Sequence, residues 1–363
     1  RNHQIYPRER CVNDRLVELL LAGRRRAIGR AISLVEDRGA EAQATLAALH
    51  PYTGQAHIIG VTGPPGSGKS TLVNALALHL RQDRPESPAM TVGIIAVDPT
   101  SPFSGGAILG DRIRMRDLAG DRGIFIRSMA SRGNLGGLAW ATADAIKVLD
   151  AAGYDLIIVE TVGAGQAEVD IARTAHTTIV VEVPGLGDDI QAIKAGILEI
   201  ADVFAVNKAD LEGADRAVMA LQMMLNLKAG AELGTMHHGR LMERVATARA
   251  QQDRTIGDPD WTPPIHKTVA TRKEGIARLA ETVLAHREHL KRTGELIWRE
   301  RERAAAELEA IIQQESMRRI LEGTAKDQLA SLIDQIVQRD LDPYTASRNL
   351  LNERGRRSAP QEE

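Results

Sequence analysis

The chain has 363 residues, and its 46 Lys and Arg nearly balance its 48 Asp and Glu, so a formal net charge of −2 excludes a basic surface for nucleic acid across the whole chain. With 43% hydrophobic and 26% charged residues, the composition is typical of a folded globular protein and not of a disordered one. The single cysteine, Cys11, cannot form an internal disulfide, and no apolar run approaches the ~20 residues that span a bilayer, so we expect no membrane segment.

The N-terminal stretch, residues 1–56, has the pattern of short helices. Leu16, Leu19 and Leu20 share one face of a predicted helix, and Asp14 stands where it can cap that helix. A proline and a glycine break the helical pattern shortly before residue 56. We therefore predict an N-terminal helical extension.

Residues 57–284 alternate short apolar runs with helical patterns. The runs are Ile58–Thr62, Val92–Val97, Ile124–Ile126, Leu156–Val159, Thr178–Val183, Val203–Val206 and Ile265–Val269. Several are rich in β-branched residues and show no polar alternation, as in parallel strands that helices cover on both faces. The alternation predicts an α/β fold with a doubly wound, mostly parallel sheet.

The C-terminal stretch, residues 285–363, is charged and helical. It carries an apolar stripe at helical spacing, formed by Leu329, Leu332, Ile333, Ile336 and Val337. A helix with one apolar stripe buries it against other protein. The residues leave two partners open, the protein's own body and a second subunit.

The segment between the first apolar run and the predicted helix Thr71–Leu80 fits the phosphate-binding pattern G-x-x-x-x-G-K-S. Glycines allow successive backbone N–H groups to converge on phosphate oxygens, and the N-terminus of the following helix adds partial positive charge. Lys69 supplies a full charge to the β and γ phosphates, and Ser70 offers a hydroxyl to Mg²⁺. The predicted phosphate-binding residues are Gly63, Pro64, Pro65, Gly66, Ser67, Gly68, Lys69, Ser70 and Thr71.

A second motif, Asn207-Lys208-Ala209-Asp210, follows the sixth apolar run. An aspartate at a strand end can accept hydrogen bonds from N1–H and from the exocyclic amine of guanine, and adenine cannot match that pattern. Taken alone, the four residues also fit a polar helix start capped by Asp210. Beside a phosphate loop, the motif favours guanine recognition by Asn207, Lys208 and Asp210. Backbone groups that are candidates for a contact with the guanine oxygen belong to Ala270 and Thr271.

Carboxylates follow two further apolar runs. Asp98 follows the second run, and Glu160 follows the fourth. Because ligands bind at the carboxyl ends of strands in a doubly wound sheet, both belong to the edge that carries the phosphate loop. They are candidate ligands of Mg²⁺, directly or through water. Gly163 is a candidate N–H donor to the γ-phosphate, and Asp111 is a candidate near the metal or the attacking water that also fits a helix cap.

Several longer motifs surround these residues. They are Val97-Asp98-Pro99, Gly110-Asp111-Arg112-Ile113-Arg114-Met115, Glu160-Thr161-Val162-Gly163, Gly163-Ala164-Gly165-Gln166-Ala167-Glu168, Pro184-Gly185-Leu186-Gly187-Asp188-Asp189 and Trp261-Thr262-Pro263-Pro264. Together they resemble the MeaB/ArgK family, the G-protein chaperones of methylmalonyl-CoA mutase and related adenosylcobalamin-dependent acyl-CoA mutases. The resemblance covers nearly the whole chain. It implies a SIMIBI-like P-loop GTPase flanked by N-terminal helices and a C-terminal helical dimerisation arm.

The resemblance also implies a function. A family member hydrolyses GTP slowly, binds a mutase, gates its loading with adenosylcobalamin and helps to expel damaged cofactor. The adenosylcobalamin belongs to the partner mutase, whereas the family member itself binds GTP or GDP with Mg²⁺ and forms a homodimer through its C-terminal helices. No switch glutamine stands at the usual place after Gly163, so we expect a slow intrinsic rate that a partner raises. The implied location is the cytoplasm, or the mitochondrial matrix in a eukaryote.

Family roles carry over to the positions that match the family's motifs. The implied catalytic and metal-binding residues are Lys69, Ser70, Asp98, Asp111 and Glu160. The segment from Gly185 to Lys194 matches a third switch that couples nucleotide state to the mutase, although by its residues alone it also fits an ordinary connection between a strand and a helix. The candidate coupling residues are Gly185, Gly187, Asp188, Asp189, Gln191 and Lys194.

Two other functions compete with this interpretation. A GTPase that delivers nickel is similar around the phosphate loop, but it uses Cys/His clusters, and a single cysteine counts against it. A kinase linked to amino-acid transport needs an acceptor site, and no separate substrate domain is evident. The polar stretch near residues 227–257 departs from the family pattern and contains His237 and His238, which we interpret as loop histidines.

Overall fold

The computed structural model describes residues 14–37, 39–83, 88–99, 116–118, 120–131, 137–161, 174–185, 200–232, 261–322 and 326–357. The chain divides into two compact units, Arg1–Arg299 and Glu300–Glu363. The domain boundaries after residues 56 and 284 stay predictions from the sequence.

A seven-stranded sheet forms the centre of the first unit. Its strands are β1 (His57–Thr62), β2 (Val92–Pro99), β3 (Ile124–Ser131), β4 (Leu156–Thr161), β5 (Thr177–Glu182), β6 (Val203–Val206) and β7 (Ile265–Lys267). Their order in the sheet is β3-β2-β4-β1-β5-β6-β7, and each pairing between neighbouring strands is parallel. Each of the seven predicted apolar runs contributes a strand, which confirms the α/β fold and its doubly wound sheet.

Helices precede, connect and follow these strands. Those in the described part of the chain are α1 (Asp14–Leu21), α2 (Arg25–Asp37), α3 (Ala40–Leu49), α4 (Lys69–Leu80), α5 (Gly137–Ala151), α6 (Ala214–Glu232), α7 (Ile276–Arg292), α8 (Glu295–Glu322), α9 (Lys326–Gln338) and α10 (Pro343–Arg357). Within the described ranges, none of these helices has the length and apolarity that crossing a membrane requires.

Helices cover both faces of the sheet, because consecutive side chains of a buried strand point to opposite faces. On one face, α1, α2, α3 and α5 share a core with strand residues such as Ile157. On the opposite face, α4 and α7 pack on a second core that includes Ile158. Helix α6 packs on Val180 and Phe204, near the end of the sheet that β6 and β7 form. The predicted N-terminal helices are thus part of one layer of the first unit.

The second unit contains α9, α10 and the part of α8 that follows Arg299. In α9, three members of the predicted apolar stripe, Leu329, Leu332 and Ile336, are half-buried. Two others, Ile333 and Val337, are 52% and 72% exposed. Within the part of the chain that the structure describes, this stripe is therefore partly exposed.

A buried polar network lies at the amino-terminal edge of the sheet, where the strands begin. Thr177 Oγ1 lies 2.7 Å from His57 Nε2 and 2.8 Å from His286 Nδ1. Because a hydroxyl can donate one hydrogen bond and accept another, both imidazoles fit this chain as neutral groups. Asp202, just before β6, forms a bidentate ion pair with Arg299 at 2.9 and 3.1 Å. Arg299, and not a histidine, therefore neutralises the Asp202 carboxylate.

Burial makes the network sensitive to acid. Desolvation lowers the pKa of His286 to about 4, although the nearby Asp202 carboxylate opposes this shift. Desolvation also lowers the pKa of His57 well below its ordinary value, and the neighbouring His176 adds to the effect. Protonation of either imidazole in the folded protein would therefore leave a charge in a site that favours the neutral form.

We expect the free energy of unfolding to decrease as the pH falls from about 6.5 towards about 4, because His286 takes up a proton there only in the unfolded chain. For this histidine alone, the loss is on the order of 3 kcal/mol. Urea denaturation across this pH range measures it. His286→Gln should flatten the slope, whereas His50→Gln, an exposed control, should keep the wild-type slope. Equal slopes for the wild type and His286→Gln would show that His286 is not the source of this pH dependence.

Candidate functional site

The phosphate loop joins the end of β1 to the start of α4. Its φ angles are 140° at Gly63, 77° at Gly66 and 87° at Gly68, a region that L side chains rarely adopt. A Cβ atom on Gly63 would lie 2.1 Å from the carbonyl oxygen of Val181, and one on Gly68 would lie 2.5 Å from Asn207 Nδ2. Glycine is therefore required at Gly63 and Gly68 by both conformation and space.

Lys69 begins α4, and its side chain is buried against the loop. Its ammonium group donates hydrogen bonds to the carbonyl oxygens of Gly63, at 2.8 Å, and Pro64, at 3.0 Å. A full positive charge thus stands within the loop whose backbone N–H groups are suited to phosphate oxygens. The other predicted loop residues differ in exposure, with Pro64, Gly68 and Thr71 half-buried, Pro65 and Gly66 exposed, and Gly63, Ser67 and Ser70 buried.

The structure brings Ser70 and Glu160 together. Ser70 Oγ donates a hydrogen bond of 2.6 Å to Glu160 Oε1, and both side chains are buried. The contact follows from the fold, because the first turn of α4 lies beside the carboxyl end of β4. A hydroxyl next to a carboxylate is a donor set that fits Mg²⁺, which prefers oxygen ligands.

The other predicted metal and phosphate ligands are placed only in part. Asp98 lies on β2, one residue beyond Val97, which pairs with Thr161 of β4. Its backbone is therefore at the same sheet edge as Glu160. Asp111 and Gly163 lie outside the described residues.

Asn207 links the two motifs that the sequence singled out. Its side chain is buried, and its Nδ2 donates a hydrogen bond of 2.9 Å to the Ser67 carbonyl oxygen in the phosphate loop. Its Oδ1 accepts hydrogen bonds of 3.2 Å each from Thr268 Oγ1 and from the backbone N–H of Ala270. Asn207 thus holds the phosphate loop and the segment after β7 against the end of β6.

Lys208 and Asp210 lie beside this junction. Lys208 has a left-handed φ of 55°, and its ammonium donates a hydrogen bond of 2.9 Å to the Gly66 carbonyl oxygen. Asp210 is partly exposed, and its Oδ2 lies 3.3 Å from a guanidinium nitrogen of Arg272. The lysine therefore lies along the phosphate loop, and the aspartate remains accessible to a base.

The candidate contacts with the guanine oxygen lie in the segment after β7. We predicted that backbone groups of Ala270 and Thr271 contact the guanine oxygen. In the structure the Ala270 N–H donates to Asn207 Oδ1, so this amide is already used within the protein. Thr271 is exposed in the next position. A backbone contact from Thr271 to the base stays a prediction.

The predicted coupling segment begins where β5 ends. Gly185 is exposed and has a φ of 92°, so the chain turns sharply there. The remaining candidates and the two adjacent histidines lie outside the described residues; they are Gly187, Asp188, Asp189, Gln191, Lys194, His237 and His238.

Sequence reasoning missed three side chains of this site. Thr268 supports Asn207, and Arg272 contacts both Asp210 and Glu274. The signal was weak, because charged residues just after a strand are common on protein surfaces. The contact of Arg272 with Asp210 is visible only in the folded chain.

Replacing Asn207 should destabilise the fold as well as the site. Asn207→Ala leaves buried polar groups of Ser67, Thr268 and Ala270 without their partner, and we expect a loss of about 2–3 kcal/mol in the free energy of unfolding. Urea denaturation of nucleotide-free protein measures this loss. Asn226→Ala, on an exposed position of α6, is the matched control and should change little. Similar losses in the two variants would contradict the linking role of Asn207.

Comparison with known proteins agrees with this geometry. A family model described as methylmalonyl Co-A mutase-associated GTPase MeaB matches residues 28–325. A protein of Pyrococcus abyssi that is named as a GTPase is 45% identical over 340 residues, which cover 94% of this chain and 96% of that protein. The GTPase ArgK of Escherichia coli is 38% identical over 249 residues, covering 68% of this chain and 72% of that one.

A solved structure shares the fold. The crystal structure of a LAO/AO transport system kinase matches with a TM-score of 0.64 and 25% identity, and the match covers 96% of this chain and 99% of that one. These findings confirm the predicted P-loop α/β fold of the SIMIBI-like type and the binding of guanine nucleotides. Because the family model covers most of the chain and the relatives are named as GTPases, the chain is a GTP-hydrolysing member of the MeaB family.

Proposed function

We propose that this GTPase is a chaperone of a cobalamin-dependent acyl-CoA mutase, which it binds in order to gate the loading of adenosylcobalamin and the removal of damaged cofactor. The observation that carries the proposal is a guanine-nucleotide site in a chain whose matching family model is named for methylmalonyl-CoA mutase. The adenosylcobalamin belongs to the mutase, and this chain contributes the nucleotide-dependent step.

In the proposed mechanism, the phosphate loop and Lys69 hold the β and γ phosphates. The Lys69 ammonium would exchange the carbonyl oxygens of Gly63 and Pro64 for phosphate oxygens, while the start of α4 adds its partial positive charge. Ser70 and Glu160, with Asp98 and Asp111, would hold Mg²⁺, which when bound supplies charge neutralisation at the β and γ oxygens. Positioning and charge neutralisation, and not covalent chemistry, carry this reaction.

The geometry of β5 supports coupling between the phosphates and a partner. The Val181 carbonyl oxygen packs so closely on Gly63 that no Cβ fits between them. Four residues after Val181, the chain turns at Gly185 into the proposed coupling segment, which extends to Lys194. A shift of the phosphate loop on nucleotide binding would therefore act directly on the strand that leads into this segment. Gly187, Asp188, Asp189 and Gln191 are proposed to contact the mutase there.

The proposal predicts a slow intrinsic GTP hydrolysis that one mutase accelerates. We expect a purified cobalamin-dependent mutase from the same organism to raise kcat by about tenfold or more, which needs only about 1.4 kcal/mol of barrier lowering. Phosphate release with GTP and with ATP, with each mutase in turn, measures the effect. Lys69→Ala should reduce hydrolysis to about 1% or less with and without the mutase, because the phosphate charge loses its partner. Lys291→Ala, an exposed position of α7, should keep the wild-type rate.

The outcomes separate the competing functions. A rate that no mutase changes would overturn the chaperone proposal and leave the GTPase assignment intact. Transfer of labelled γ-phosphate to a protein acceptor would favour a kinase, as the name of the similar LAO/AO structure suggests. Nickel binding that depends on GTP would favour a metallochaperone.

Homodimerisation through the C-terminal helices is the second part of the proposal. Several large apolar side chains of α8 are about half exposed in the single chain, among them Leu308 at 59%, Ile312 at 55% and Met317 at 57%. Ile333 and Val337 on α9 are exposed as well. Apolar rows on consecutive charged helices are typical of an interface between helices of two subunits. A second copy of the chain is the proposed partner for them.

We expect the wild-type protein to be a dimer and the double substitution Ile333→Glu with Val337→Glu to be monomeric, because a carboxylate at these positions is costly to bury. Size-exclusion chromatography with light scattering measures the mass. Ser331→Glu, a polar and exposed position of the same helix, should remain dimeric. A monomeric wild type, or a double variant that stays dimeric, would contradict this part of the proposal.

A further inference from the structure

The short segment between β7 and α7 carries three charged side chains that the GTPase assignment does not use, and two of them, Arg272 and Glu274, are paired with each other. Arg272 donates through Nε to Glu274 Oε1 at 2.7 Å and through Nη2 to Glu274 Oε2 at 3.3 Å. Its remaining nitrogen, Nη1, donates to Asp210 Oδ2 at 3.3 Å. The guanidinium group thus stands between two carboxylates, one of which belongs to the motif predicted to read guanine.

The backbone of this segment is held in place from several sides. Val269 and Glu274 exchange two backbone hydrogen bonds of 3.1 and 3.3 Å, which close the turn that carries Arg272. Gly275 follows with a φ of 75°, and a Cβ there would lie 2.1 Å from the Lys267 carbonyl oxygen. Because Ala270 also donates to Asn207, the turn is fixed relative to the base-reading motif. The backbone of Arg272 therefore has a defined position beside Asp210.

Arg272 and a guanine base can share the Asp210 carboxylate. An ionised carboxylate has two oxygens and about four lone-pair positions. A bidentate contact with N1–H and the exocyclic amine of guanine uses one position on each oxygen, which leaves a further position on Oδ2 for Arg272 Nη1. The arginine thus need not leave when the base enters. Without it, a partly exposed aspartate has several staggered rotamers open to it.

We propose that Arg272 is a positioning residue for guanine recognition, which holds the Asp210 carboxylate in the orientation that accepts both N–H groups of the base, with Glu274 orienting Arg272 in turn. The inference rests on the proposed role of Asp210 as the base reader. The effect is moderate in size, since a partly exposed ion pair restricts a side chain without burying it. We expect a roughly two- to fivefold change in affinity.

The test compares nucleotides that differ in one group. Inosine diphosphate lacks the exocyclic amine of guanosine diphosphate, so the ratio of the two affinities measures the second hydrogen bond to Asp210. In Arg272→Ala we expect GDP binding to weaken roughly two- to fivefold and IDP binding to weaken less, so that the GDP:IDP ratio shrinks. Arg272→Lys, which keeps the charge but not the planar fork, should lie between Arg272→Ala and the wild type. Isothermal titration calorimetry on nucleotide-free protein gives both affinities.

Controls separate positioning from general damage. Arg278→Ala removes an exposed arginine of α7 and should keep the wild-type ratio. The melting temperature of nucleotide-free Arg272→Ala should equal that of the wild type. Glu274→Gln should shrink the GDP:IDP ratio in the same direction as Arg272→Ala, by a smaller factor.

Two results with Arg272→Ala would overturn the inference. A third result, with Asp210→Ala, would overturn the base-reader role on which the inference rests. A wild-type GDP:IDP ratio in Arg272→Ala would show that the arginine does not orient the carboxylate. Tighter GDP binding in that variant would show that the arginine blocks the base. Asp210→Ala distinguishes these failures from a failure of the base-reader assignment itself, because that variant must lose the preference for GDP over IDP if Asp210 reads the base.

Discussion

The buried carboxamide of Asn207 makes the hydrogen bonds on which the candidate nucleotide site depends. Its two polar ends serve different segments, because Nδ2 donates to the phosphate loop at Ser67 while Oδ1 accepts from Thr268 and Ala270 beyond β7. An amide in a buried position costs free energy unless both ends are hydrogen-bonded, so the three segments and the side chain hold one another. The loop that would bind phosphates and the turn beside the predicted base-reading motif are therefore joined through one side chain.

The close packing of this junction explains its glycines. Gly68 has no room for a Cβ because Asn207 Nδ2 occupies the space, and Gly63 has none because the Val181 carbonyl does. Parallel strands bring their carboxyl ends to one edge, which also places Glu160 beside Ser70. The described part of the phosphate loop is thus packed against Asn207 on one side and against β5 on the other.

Strand β5 runs from the amino-terminal edge of the sheet to the carboxyl-terminal edge, where the phosphate loop lies. Its first residue, Thr177, bridges His57 and His286 in the buried polar network, and its last residue, Glu182, accepts a backbone hydrogen bond of 2.7 Å from Asn207. The two edges have different chemistry. The carboxyl edge offers loops, charges and partly exposed groups to a ligand, whereas the amino edge encloses neutral imidazoles and a paired Asp202. The candidate nucleotide site and the acid-sensitive histidines therefore lie at opposite ends of β5.

The sequence alone determined the strands, the phosphate loop and the family, because each depends on neighbouring residues. An apolar β-branched run predicts a buried strand wherever it lies, and the phosphate loop is a contiguous motif whose backbone makes the site. The tertiary structure decided the contacts between distant residues. Ser67 and Asn207 are 140 residues apart, Asp210 and Arg272 are 62 apart, and His57 and Thr177 are 120 apart. Such pairs depend on the order and register of the strands, which no local pattern specifies, so Arg272 and the histidine network became visible only in the folded chain.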